Sequence, residues 1–112
     1  MPRPSLRRYF RHGLFPQLMV FEAVARLRSV TRAAEELHLA QPTVSTQIKK
    51  LSDCLGLALF QQRGRGLEPT PAGGELLAAC EELTALLERT EARLAALRAP
   101  QAEAQDWVQG LA

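Results

Sequence analysis

The chain has 112 residues, 46% hydrophobic and 23% charged, with two cysteines and a formal net charge of +2. That balance excludes a disordered chain and leaves room for one domain plus one extended element. No apolar run is long enough for a signal peptide or a membrane span, so a cytoplasmic protein with no membrane partner is expected. The charge is unevenly placed. Residues 1–66 carry 11 Lys/Arg against 4 acids, a balance of +7, and residues 67–112 carry 3 Arg against 8 acids, a balance of −5. A basic half joined to an acidic half suggests that the first half meets a polyanion. Cys54 and Cys80 lack metal-ligand spacing and read as buried thiols in a reducing compartment.

Residues 1–13, "MPRPSLRRYFRHG", form a basic extension. They read equally as a flexible arm or as a helical lead-in from Ser5 with Tyr9 and Phe10 docking on the core. A helix is predicted from Phe15, where Pro16 suits a first-turn position. Leu14, Leu18, Phe21 and Ala25 follow one face with Val24 beside them, and the helix fades near Arg28. Ser29 is placed to cap a second helix over about 30–38, with Ala33, Ala34 and Leu37 facing inward. A bend over 38–40 follows, with Leu39 expected to plug it.

A third helix is predicted over 41–55, "QPTVSTQIKKLSDCL". Val44, Ile48, Leu51 and Leu55 define its buried stripe, and Gly56 is its left-handed stop. Short strands over 57–60 and 67–70 flank "QQRGRG", whose glycines allow a tight hairpin tip. Pro69 removes a strand donor and is expected to shorten the hairpin. Thr70 followed by Pro71 starts a fourth helix, predicted over 71–99. Its residues Leu76, Cys80, Leu83, Leu87, Thr90, Leu94 and Leu97 step 4, 3, 4, 3, 4, 3. That is a heptad seam, with Leu77 and Leu86 widening it. At 1.5 Å per residue the helix is about 40 Å long, too long to hide its stripe on a small domain, so a partner helix is implied. Residues 100–112 read as a tail or linker.

The fold class is therefore mainly α: a winged helix-turn-helix over 14–70, then a dimerisation helix over 71–99. On the third helix Gln41, Thr43, Thr46, Gln47 and Lys50 are left for the outer side, with Ser45 at the border and the Pro42 ring in the first turn able to meet a thymine methyl. Hydrogen-bonding groups at the start of an inserted helix are what a major groove requires. Lys49 and Lys50 come later on the helix, in reach of phosphates. Thr31 and Arg32 are placed on the same interface. The wing supplies Arg63 and Arg65 for a minor groove or adjacent phosphates. Each feature alone is ordinary surface; their order along one chain is what points to double-stranded DNA.

The run "AAEELHLAQPTVSTQI", with "LGLALF", "RGRG" and "TPAG" after it, resembles the DNA-binding domain of LysR-type transcriptional regulators. The resemblance covers about Leu18 to Leu97. Within the family, "RAAEELHLAQP" and "LFQQ" are most similar to regulators of carbon-fixation (RuBisCO) operons. The resemblance implies a dimer, with a tetramer open to a full-length form. It also implies antiparallel linker helices and palindromic promoter sites with a T-N11-A core. It places Gln41, Pro42, Thr43, Ser45 and Thr46 at the major groove and Arg65 on the wing. Ser52, Gln62 and Pro69 depart from the family's usual acid, arginine and leucine. The family's sensor domain is not matched, so no small-molecule ligand or cofactor is expected for this stretch. A coiled-coil interaction module built on the heptad helix is the alternative from another class. An enzyme is disfavoured: no catalytic residue set, CxxC or phosphate-binding glycine loop occurs, His12 and His38 are isolated, and no metal site is expected. Glu35–Glu36 and Glu81–Glu82 are adjacent on helices, where neighbouring side chains diverge by about 100°.

Overall fold

The computed structural model describes Leu6 and residues 13–98. The expectations for residues 1–12, apart from Leu6, and for 99–112 lie outside the described residues. The elements are α1 (Leu14–Leu27), α2 (Val30–Leu37), α3 (Gln41–Leu55), β1 (Phe60–Arg63), β2 (Gly66–Pro69) and α4 (Pro71–Leu97). The chain divides into two compact units, residues 1–80 and 81–112, with the boundary inside α4.

The first unit is built by small residues that let helices approach. Val20, Ala23 and Val24 of α1 meet Ala33 and Ala34 of α2 and Val44 of α3 in a buried cluster. Ile48, Phe60 and Leu67 pack against it, so α3 and the hairpin share one core. Phe21 is fully buried, and its ring lies 5.1 Å from that of Phe60 in a tilted pair. Leu51 and Leu59 complete the fully buried set.

The corners are set by caps. Arg28 ends α1 in the left-handed region at φ 55°, and its N–H donates to Val24 O. Ser29 then caps α2, its hydroxyl accepting from the Arg32 N–H at 3.1 Å. His38 is also left-handed at φ 56°, and the Leu39 N–H reaches back to Ala34 O at 2.9 Å. This 6→1 closure turns Leu39 outward. The expected plug is thus corrected: Leu39 is exposed. Gly56 stops α3 at φ 69°, with Leu57 N–H donating to Ser52 O in the same closure. Cys54 is half-buried rather than buried, while Cys80 is buried as expected.

The wing is shifted relative to its sequence signal. Strand pairing runs Phe60↔Pro69, Gln61↔Glu68, Gln62↔Leu67 and Arg63↔Gly66, so β1 starts at Phe60 and not at 57. The cause is a clamp on the preceding backbone. The Thr70 hydroxyl donates to Ala58 O at 2.6 Å, and the Thr70 N–H donates to Leu59 O at 3.0 Å. The same hydroxyl accepts from the Gly73 N–H at 3.1 Å, capping α4. Pro69 stays within β2 as its last residue, where a missing N–H is tolerated. Gly64 and Arg65 form the tip, and the positive φ of Gly64, 61°, suits the first position of a tight hairpin turn.

α4 ends at Leu97 rather than 99, with the Arg98 N–H bonded to Ala95 O. In its first turns Leu76 and Cys80 are buried inside the first unit. In the second unit Leu83 and Thr90 are half-buried, while Leu86, Leu87, Leu94 and Leu97 are exposed.

Candidate nucleic-acid interface

α3 is held from below by Val44 and Leu51, both completely buried. At about 100° per residue, Pro42, Thr46, Lys50 and Asp53 fall on the opposite side. Gln41, Pro42, Thr43, Ser45, Thr46, Lys49 and Lys50 are all exposed, and Gln47 is half-buried. The helix stands as a ridge between two grooves. Ser45, Lys49, Ser52 and Asp53 face one groove, whose far wall is Ala58, Leu59, Phe60 and Leu67 at the base of the wing. Thr43 and Gln47 face the other, which is apolar and lined by Pro16, Met19, Val20, Leu37 and Leu39.

Ala40, in the N-cap position, offers no side-chain acceptor, so the first N–H groups of α3 are uncapped by side chains. Together with the helix dipole they favour an anion at this end. Thr31 and Arg32 are exposed in the first turn of α2. On the wing, β1 and β2 pack through Phe60 and Leu67, which leaves Gln61, Arg63 and Glu68 on the other face. Arg63 and Arg65 are exposed.

The cations differ in how free they are. Arg26 is held by Glu22 at 2.8 Å and by both carboxylate oxygens of Glu36. The hydrogen bonds that Arg26 donates to Glu36 and then to Glu22 raise its guanidinium above its ordinary pKa, and Arg26 in turn lowers that of Glu36. This triad joins α1 to α2 and removes Arg26 from the available charge. Lys49 pairs with Asp53 at 3.1 Å, and Arg63 pairs with Glu68 at 3.2 Å. Arg28, Arg32, Lys50 and Arg65 have no ion-pair partner among the described residues.

The seam on α4 is similarly divided. Leu76 and Cys80 are already covered within their own chain, whereas Leu87, Leu94 and Leu97 are 66%, 52% and 73% exposed. The Thr90 hydroxyl donates to Leu86 O at 2.8 Å, so this polar group is satisfied within the helix. Among the described residues no group of His, Cys, Asp or Glu could hold a metal ion, and no helix is long and apolar enough to cross a membrane.

The sequence reading missed Arg28, an exposed cation whose carbonyl accepts from the Leu67 N–H at 3.3 Å and so ties the α1–α2 corner to the wing. No linear signal placed it there. It also missed the partners of Lys49 and Arg63; the i,i+4 spacing of Lys49 and Asp53 could have shown the first.

Residues 15–74 match the bacterial regulatory helix-turn-helix proteins of the lysR family. The chain belongs to the LysR family. Its relatives include the RuBisCO operon transcriptional regulator of Allochromatium vinosum, 55% identical over 65 residues, 58% of this chain and 22% of that one. The RuBisCO operon transcriptional regulator of Acidithiobacillus ferrooxidans is 43% identical over 88 residues, 79% of this chain and 28% of that one. This LysR-family chain thus spans about a quarter of the length of these curated relatives. Among solved structures it is similar to the BenM_DBD/benA site 1 DNA complex, with TM-score 0.68 and 28% identity over 76% of this chain and 96% of that one. The CbnR_DBD–DNA complex gives TM-score 0.64 and 35% identity over 74% and 95%. The winged helix-turn-helix is therefore the LysR-family fold, and the named relatives are transcriptional regulators rather than enzymes.

Proposed function

We propose that this LysR-family chain binds double-stranded DNA sequence-specifically as a homodimer and regulates transcription in the bacterial cytoplasm. The observation that carries this reading is the exposed ridge of α3, where Gln41, Pro42, Thr43, Ser45 and Thr46 stand clear of a core closed by Val44 and Leu51. Gln suits adenine N6/N7, and Ser or Thr suits several base edges, while a threonine methyl meets a thymine methyl. Gln47 works from the flank. Lys50, Arg32, the first turn of α2 at Thr31 and the uncapped start of α3 take phosphates; Arg65 at the hairpin tip enters the minor groove or meets its phosphates. Lys49 and Arg63 join them once their carboxylate partners yield.

The dimer forms through α4, with Leu83, Leu87, Thr90, Leu94 and Leu97 as the seam. Leu76 and Cys80 support it from within the first unit. Two copies related by a twofold axis call for a palindromic site. The named RuBisCO operon relatives support a promoter of a carbon-fixation operon as the target. The exposed leucines that favoured an interaction module serve here as the dimer surface.

A titration of the purified chain against duplex DNA at several salt concentrations tests the reading. Neutralising several phosphates gives a log–log slope of about −0.9 for each contact. A flat salt dependence would remove the polyanion from the account.

A further inference from the structure

Two acids stand where a DNA-binding surface has least use for them. Asp53 holds Lys49 at 3.1 Å on α3, and Glu68 holds Arg63 at 3.2 Å on the wing. Local stability does not account for Asp53. It lies in the last turn of α3, where the helix dipole disfavours an anion. Lysine preceding the acid is also the weaker order for an i,i+4 pair. Both partners are well exposed, at 76% and 66%, so the pair contributes little to folding. On the wing Arg63 faces Gly66, which has no side chain, and leans diagonally onto Glu68 instead.

Place matters as much as charge. Asp53 and Lys49 line the groove whose other wall is Phe60 and Leu67 of the wing. With α3 in a major groove and the hairpin tip in the adjacent minor groove, the phosphate ridge separating the two grooves follows this trough. A carboxylate here meets phosphates and opposes them.

We propose that Asp53 and Glu68 are positioning residues that set specificity. They hold back the charges of Lys49, along the phosphate ridge, and of Arg63, on the other face of the wing, and keep sequence-independent affinity low. The base contacts of α3 then decide which duplex is bound. A cation that must first leave a carboxylate neutralises a phosphate less completely and releases fewer counterions. This inference rests on the DNA-binding reading above.

The experiment compares wild type, D53N, E68Q and the charge-preserving D53E against a mixed-sequence duplex and a T-N11-A palindrome over a salt series. Removing either acid is expected to tighten binding to the mixed-sequence duplex about fivefold, the scale of one close charge pair in water. It should steepen the log–log slope by up to about 0.9. Binding to the palindrome tightens less, so the ratio of the two affinities falls, and D53E behaves as wild type. A purely structural role would move the melting temperature and leave slope and ratio unchanged. Unchanged slope and ratio in both neutralised variants, with wild type binding in a salt-dependent way, overturns the inference and spares the DNA-binding reading. Wild type without salt-dependent binding overturns both.

Discussion

Gln41 opens α3 and Lys50 follows about two and a half turns later; both are exposed, and Lys50 has no ion-pair partner among the described residues. They are expected to behave differently on substitution. Gln41→Ala should lose about 1–3 kcal/mol of discrimination at one base step. Lys50→Ala should weaken all duplexes about equally and reduce the salt slope by roughly 0.9. Parallel titrations with matched and scrambled duplexes check this; identical behaviour of the two variants would contradict the roles given to them. The Arg26 triad makes a separate prediction. Arg26 lowers the pKa of Glu36 in the folded chain, so the pair's stabilisation is present above the unfolded carboxylate pKa and lost as pH falls through the folded one. Melting curves of Glu36→Gln and wild type should therefore converge on the acid side. At this scale the sequence was informative about residue type and about pairs local on a helix, and silent about pairs made across the hairpin. Lys49 and Asp53 are a visible i,i+4 pair, whereas Arg63 and Glu68 meet only through the strand register.

At the scale of elements, α4 begins against the wing. A Cβ built on Gly73 would lie 2.1 Å from Leu59 O, which is backbone and cannot step aside, whereas one on Gly74 meets nothing within 4 Å. Alanine at an exposed helical glycine normally stabilises by about 1 kcal/mol. Gly74→Ala is thus expected to raise the melting temperature, and Gly73→Ala to lower it in spite of the better helix propensity. Ser29→Ala, which removes the α2 cap, should cost about 1 kcal/mol. The elements were legible to different degrees for physical reasons. Caps and stops at Ser29, Gly56 and Thr70 are local chemistry and were readable. The start of β1 was not, because the clamp of Thr70 on Ala58 and Leu59 comes from twelve and eleven residues away in the chain. Leu39 was misread because an apolar residue in a bend looks buried until the closure at His38 turns it out.

For the whole molecule the proposed dimer rests on the exposed leucines of α4. Leu87 and Leu94 are more than half exposed in the single chain, far from what the heptad pattern leads one to expect of a finished helix. Leu87→Asp or Leu94→Asp should yield monomers in sedimentation, with DNA affinity falling because two half-sites are no longer bound together. An unchanged dimer would move the interface elsewhere. Selection of bound duplexes from a random pool, followed by sequencing, tests most directly that the α3 ridge of a twofold pair reads bases. The account predicts enriched sites with two inverted half-sites, and loss of one preferred base step in each half-site for Gln41→Ala. Recovery of sequences no different from the starting pool, from a chain that still binds DNA, would contradict it.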